Sequence, residues 1–217
     1  MASIKDKFKD ILGTEVFTNA SNIADDAINA AIGEVANLVP TELLLKYAPE
    51  PTLLDGDPAT LSVTGKKVLL VQKEDLENNL VTCMEMNPID FAAAGNDKSM
   101  YEATNLSPVF SIHYLDGSGI LDMRPRADST YRAFVHLFTY PTTVWSASSA
   151  ATFENLPEEI EQAILYRAAL SVIQAYISNA VQEEEDVEMQ TMLNNQMQSL
   201  QALYQTEIAP FTQGVAT

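Results

Sequence analysis

Apolar residues recur along this chain with two different periods, and the period changes twice. Over the first 48 residues the spacing is helical. Ile4, Phe8 and Ile11/Leu12 fall on one face of a short amphipathic stretch, and Ile28, Ala31/Ile32, Val35 and Leu38/Val39 fall on one face of a longer one. Thr18 and Asn22 bracket a group of capping candidates ahead of the longer stretch, and Pro40 closes it. Residues 42–47 form a further short helix carrying Leu43, Leu44 and Leu45 before Pro49 and Pro51. The turn-rich Asp55-Gly56-Asp57-Pro58 follows.

Across residues 61–145 the period shortens to two. Residues 68–71 and 80–86 are compact β-type runs; Asn87-Pro88 breaks the second, and residues 89–94 fit a single helical turn. Residues 109–115 and 120–123 flank Asp116-Gly117-Ser118-Gly119, which is hairpin chemistry. Tyr131, Ala133, Val135 and Leu137 then alternate with Arg132, Phe134, His136 and Phe138 until Pro141. Residues 146–149 are a small-residue linker.

The helical period returns over residues 156–211, as two long helices separated by Glu183, Glu184, Glu185 and Asp186. From Ala163 through Val181 the only charge is Arg167. One stripe runs Tyr166, Leu170, Ile173, Ile177 and Val181, and a neighbouring stripe runs Leu165, Ala169, Val172, Tyr176 and Ala180. A helix serving one core needs one stripe. Two stripes imply burial on several sides, by the chain itself or by neighbouring copies, so Tyr166, Leu170, Ile173 and Ile177 are candidates for packing between subunits. The stretch does not read as a membrane span, which takes about 20 predominantly apolar residues. Ser171, Gln174, Ser178 and Asn179 interrupt it. Pro157 suits a first helical position, and Glu158, Glu159 and Glu161 sit at the positive end of the helix dipole. In the last helix Met189, Met192 and Met197 share helical spacing with Leu193, Leu200, Leu203 and Tyr204, a core or interface pattern. Pro210 is expected to end that helix. The uncharged tail beyond it, with Pro210, Phe211 and Val215, is a candidate docking segment for a partner.

Helices, then strands, then helices predict an α+β fold. The expected architecture is a helical bundle built from both chain ends with an inserted antiparallel β-domain. Its parts are residues 1–58, the β-domain at 59–150, the long helices at 151–209 and a tail at 210–217.

Charge narrows the function. The net charge of −18 argues against generic nucleic-acid binding, which depends on neutralising phosphates with Lys and Arg. An acidic surface keeps a protein soluble, and in a conduit it repels DNA. Lys66, Lys67, Lys73, Arg124, Arg126 and Arg132 gather the positive charge in the strand region, either as scattered surface groups or to meet acidic patches on partners. The four acids at 183–186 read either as a solvated corner or, in many copies around an axis, as a negative band.

No catalytic motif is present: no Gly-rich phosphate loop, no His-Glu-x-x-His, no Gly-x-Ser-x-Gly. Cys83 is alone, so neither a disulfide framework nor a cysteine metal cluster is available. His113 and His136 fall in strands and read as ordinary strand residues, and Asp55 and Asp57 as turn chemistry rather than a calcium loop. No catalytic residue, metal ligand or cofactor is therefore expected. The amphipathic N-terminus lacks a signal-peptide core, which points to assembly in a cytoplasm.

Two blocks together carry a resemblance. The block beginning Leu156-Pro157-Glu158-Glu159-Ile160-Glu161, continuing through the acidic corner into a Gln/Leu-rich helix, resembles head-to-tail connector (adaptor) proteins of tailed bacteriophages. The segments Tyr101-Glu102-Ala103-Thr104-Asn105-Leu106-Ser107-Pro108-Val109-Phe110, Gly119-Ile120-Leu121-Asp122-Met123-Arg124-Pro125 and Phe138-Thr139-Tyr140-Pro141 are similar to β-domains in virion proteins of marine phages. The resemblance covers roughly residues 20–210 as a composite of patterns. Many adaptors are smaller and purely helical, so the β-domain is a departure. What the resemblance implies is a virion protein without enzymatic activity, in a ring of usually twelve copies. The ring docks beneath the portal protein and above a tail or nozzle protein, the C-terminal tail reaches the portal, and genomic DNA passes without specific binding. Two rival functions stand beside it. One is a host-recognition module whose β-domain binds a partner or glycan through aromatics such as Tyr101, Tyr114, Tyr131 and Trp145; the other is a hydrolase with an unrecognised carboxylate pair.

Overall fold

Ser3 starts the first helix. Its hydroxyl accepts the Asp6 N–H at 3.1 Å while the Asp6 carboxylate accepts the Ser3 N–H at 3.2 Å, a reciprocal cap for two otherwise unpaired donors. The computed structural model describes residues 3–19, 21–55, 60–96, 99–100, 102–141, 153, 155–182 and 187–212. Its helices are α1 (Ile4–Leu12), α2 (Thr14–Asn19), α3 (Ser21–Leu38), α4 (Thr41–Leu45), α5 (Pro88–Ala94), α6 (Glu161–Gln182) and α7 (Val187–Thr212). Its strands are β1 (Thr52–Leu54), β2 (Leu61–Ser62), β3 (Lys66–Glu74), β4 (Leu80–Thr82), β5 (Met84–Glu85), β6 (Val109–Leu115), β7 (Ser118–Arg124) and β8 (Ala133–Thr139). The protein is thus mixed α+β. It divides into two compact units, Met1–Tyr47 with Pro141–Thr217, and Ala48–Tyr140.

In the first unit α6 packs against α1, α3 and α7. Ile4, Phe8 and Leu12 of α1 are buried, with the Phe8 ring edge-on to Phe17 at 6.3 Å. α3 buries Ile28, Ala31, Ile32, Val35 and Ala36, while Leu38 stays exposed. α6 buries Ala163, Ile164, Leu165, Ala168, Ala169, Val172 and Ile173, one broad face along its first half. Burying Ile164, Leu165, Val172 and Ile173 stabilises by about 1.5–3 kcal/mol each, and the alanines contribute less. α7 is different: Leu193, Leu200 and Ile208 are its buried apolar residues among those described, so it docks along one narrow seam. Its Gln196 amide donates to the Ile11 carbonyl at the end of α1, at 2.9 Å.

The last helix runs through Pro210 to Thr212, contrary to the expected stop. Proline costs most in a helix interior, where it removes a bond to the carbonyl four residues back and crowds it. Pro210 lies in the final turn on the exposed side, so only the Thr206 carbonyl loses a ladder partner, and Thr206 is itself exposed to water. The Thr212 hydroxyl donates back to the Ala209 carbonyl at 3.3 Å. Pro210 and Phe211 therefore belong to α7, not to a free tail.

The second unit contains two four-stranded sheets, β1-β8-β3-β4 and β2-β7-β6-β5, antiparallel except for the β5–β6 pair. Leu54, Val71, Ala133, Val135 and Leu137 from the first sheet and Phe110, Leu121 and Met123 from the second share one apolar core. The β6–β7 hairpin closes through Asp116-Gly117, both at positive φ (50° and 78°), as a two-residue primed turn demands. Residues 80–86 do not form one strand. The run changes sheets at Cys83: the Cys83 N–H donates to the Val71 carbonyl at 2.8 Å and the Met84 N–H to the Pro108 carbonyl at 3.0 Å. The small thiol turns into the core at that corner.

Candidate functional site

The α6–α7 pair is the surface to which the sequence pattern points. Two ion pairs fix α6. Arg167 grips Glu34 of α3, with Nε to Oε2 at 2.5 Å and Nη2 to Oε1 at 3.1 Å, and also donates to the Ser171 hydroxyl at 3.0 Å. At the start of α6, Glu161 accepts from Lys7 of α1 at 2.5 Å. The stripe that begins at Tyr166 is left partly uncovered. Tyr166, Leu170 and Ile177 are half-buried. Ile173 is 0 % exposed, enclosed by its own chain, so its proposed part in packing between subunits is corrected: it has no surface left to offer.

Between the helices Arg167, Leu170, Gln174, Met197, Gln201, Tyr204 and Gln205 line a groove of about 190 Å³. Burial pushes the Tyr204 phenol pKa up, and nearby Glu34 adds to the shift while Arg167 opposes it. On the far side of α7, Met192 is 60 % and Leu203 45 % exposed. Met189 and Met197 are half-buried. Phe211 is half-buried at the helix end and Pro210 exposed. Glu183, Glu184, Glu185, Asp186 and Val215 lie outside the described residues, as do Gly56, Asp57, Pro58, Tyr101, Trp145 and the 146–149 linker.

In the second unit the histidines stand apart, His113 on β6 and His136 on β8 of the other sheet. The His113 ring packs on Phe91 at 5.4 Å. Among the described residues no group of three or more His, Cys, Asp or Glu side chains is placed to hold a metal. Burial pushes the Cys83 thiol up to about 12, with Lys73 acting weakly in the other direction, so it stays a neutral thiol.

The basic residues are not uniformly at the surface. Lys66 is exposed and Lys67 half-buried, whereas Lys73 is 0 % exposed. Its nitrogen donates to the Asn105 side-chain oxygen at 2.6 Å and lies 5.4 Å from the centre of the Tyr131 ring. Arg132 is taken by Glu74. Arg124 lies over the Phe91 ring at 4.9 Å and, with Arg126, Glu102, Ala94, Gly95, Ala103 and Pro125, lines a pocket of about 330 Å³. A Cβ at Gly95 would fall 1.2 Å from the Arg124 guanidinium, so a side chain there would displace the arginine from its present position. A signal for Lys73 was present in the sequence, since it shares the parity of Val71, the inward side of β3.

Comparison with known protein families and with curated proteins finds no match. No described helix is long and apolar enough to cross a membrane.

Proposed function

We propose that the protein is a structural component of a tailed-phage virion, a head-to-tail adaptor whose copies form a ring in the neck between portal and tail. In this reading helices from both chain ends make one bundle, and the strand unit, Ala48–Tyr140 rather than the expected 59–150, is inserted into it. The observation that carries the reading is the α6–α7 pair. It buries Ile173 and Leu200 within the chain yet leaves Tyr166, Leu170 and Ile177 half-covered and Met192 and Leu203 exposed. Apolar surface left uncovered on two sides of the pair offers two different faces for association, and identical copies meeting head to tail through two different faces close into a ring when the rotation permits.

The remaining assignments follow from that ring. Glu183, Glu184, Glu185 and Asp186 form an acidic band at the channel or its rim, and the net charge of −18 lets genomic DNA pass without sticking. The end of α7 with Pro210, Phe211 and Val215 docks on the portal protein. A tail or nozzle protein meets the opposite face. The ring has twelve copies, no enzymatic chemistry and no cofactor, and is assembled in the host cytoplasm before joining the virion. Cryo-electron microscopy of virions tests this: density for the chain is expected on the portal–tail axis, and a position elsewhere, or fewer than about six copies there, ends the proposal.

A second reading has one observation of its own. Tyr114 is 81 % exposed beside exposed Leu115 at the β6–β7 hairpin tip, as in a host-recognition component whose β-domain binds a partner or glycan. A glycan array separates the two: specific binding lost in Tyr114→Ala favours recognition, and no binding favours the adaptor.

A further inference from the structure

Lys73 occupies a place that an ammonium group rarely holds. Its side chain has no exposed surface, and burying a charge without full pairing is expensive. An ammonium carries three donors. Among the described residues the Lys73 nitrogen has one hydrogen-bond acceptor, the neutral Oδ1 of Asn105 at 2.6 Å, with the Tyr131 ring near it. Asn105 is a half-buried residue of the loop entering β6 in one sheet, and Lys73 belongs to β3 in the other. Amine and carboxamide, 32 residues apart, are thus held in hydrogen-bond contact in the interior of the unit.

We propose that Lys73 and Asn105 close an intramolecular amide (isopeptide) bond, cross-linking β3 to the loop that enters β6. Burial lowers the Lys73 pKa and so favours the nucleophilic free amine, while Asp128 and Cys83 act in the opposite direction. Asp128 is the carboxylate whose charge reaches Lys73, and it is held ionised by the N–H groups of Thr130 at 2.7 Å and Tyr131 at 2.8 Å. In mildly alkaline solution the Lys73 ammonium gives up one proton to water, which leaves the free amine. The freed lone pair attacks Cγ of Asn105, a C–N bond forms, and the carbonyl electrons move onto Oδ1. As they return, the bond from Cγ to Nδ2 breaks. Water returns one proton to the departing nitrogen, and the attacking nitrogen gives up one of its two remaining protons to it as well, so ammonium is released and a neutral amide remains. Nothing is oxidised or reduced. The reaction removes the buried charge, which is its driving force, and the exposure of Asp128 and partial exposure of Asn105 give ammonium a way out. The buried, protonated Cys83 thiol does not compete as a nucleophile. The bond is independent of the adaptor role.

The full chain is purified, held in mildly alkaline buffer and weighed intact beside Lys73→Arg and Asn105→Ala. Wild type is expected to be lighter by the mass of one ammonia relative to its sequence, and both variants to run at their full masses. Trypsin should release a branched peptide joining residues 68–98 to residues 99–126, which decides the matter even if a variant does not fold. A wild-type chain that keeps its full mass overturns the proposal. So does an ammonia deficit that survives in Lys73→Arg, because that identifies a succinimide at an asparagine.

Discussion

Arg132 holds the Glu74 carboxylate at three points: Nε to Oε2 at 3.0 Å, Nη2 to Oε1 at 2.7 Å and its own backbone N–H to Oε2 at 3.1 Å. Glu74 ends β3 and Arg132 immediately precedes β8, and the Glu74 N–H returns a bond to the Arg132 carbonyl at 2.9 Å. Two-pronged, charge-assisted pairs of this kind fix geometry as well as contribute energy. This one locks the open end of the β3–β8 ladder just where the chain leaves it for the β3–β4 turn.

That pair makes the strand unit sensitive to acid. The Arg132 guanidinium holds the Glu74 carboxyl below its ordinary value of 4.5. A group depressed in the folded state contributes fully above its unfolded value, and the contribution is lost as pH falls through the folded value. Asp75, bonded by the backbone N–H groups of Asn79 and Glu77, and Asp128, bonded by those of Tyr131 and Thr130, are depressed too and act with the same sign. Urea midpoints measured at a series of pH values should fall once pH drops below about 4.5. Glu74→Gln should be less stable at neutral pH and lose less on acidification. Parallel profiles for the two proteins would remove Glu74 from the account.

Cys83 offers a probe of opening in the same unit. Buried at the corner where the chain changes sheets and with its pKa pushed up to about 12, the thiol should resist a thiol-reactive dye in the native protein and react at once in urea. A native labelling rate close to that of free cysteine would show that the corner does not stay closed.

Local chemistry explains what the sequence disclosed and what it did not. Asp116-Gly117 announced its hairpin because positive φ at two consecutive positions is a property of those residues themselves. The order of helices and strands likewise announced a mixed α+β protein. Periodicity located α6 but could not say which stripe its own chain would cover. That depends on how the helices packed against α6 cover it, and Ile173, 0 % exposed, lies on the covered side. Nothing in residues 80–86 marks the change of sheet at Cys83, which is set by partners distant in sequence, Val71 and Pro108. Lys73 failed in another way. Its residue type argued for the surface while its parity with Val71 argued for the interior, and the parity won. At Pro210 a rule valid for helix interiors was carried into a last turn, where it weakens.

The corrected seam of α6 can be tested by comparing neighbours. Ile173 is enclosed, so Ile173→Ala should cost about 2–5 kcal/mol, the range for deleting a fully packed aliphatic side chain. Leu170 is half-buried on the groove side, so Leu170→Ala should cost clearly less in the same urea titration. Equal losses at the two positions, or a larger loss at Leu170, would mean that the covered face of α6 has been drawn on the wrong side.

The same distinction separates folding from assembly. Met192 and Leu203 add little to the fold of a single chain because they face solvent from α7. Replacing either by Glu should therefore change monomer stability by no more than about 0.5 kcal/mol, the usual range for surface substitutions. In an adaptor ring the outcome differs, since each new carboxylate enters a contact between copies of a chain already at −18 and must be desolvated there without a partner. The paired substitution should abolish incorporation into virions, measured as protein per particle. High salt should restore it only in part, because screening weakens repulsion between charges but leaves the cost of burying them. A lone chain that stays monomeric in dilute buffer is compatible with the proposed adaptor role, in which a portal would template the ring. Full incorporation of the doubly substituted, folded protein would show that the exposed side of α7 faces no neighbour, and the ring would then have to close through Tyr166, Leu170 and Ile177 alone.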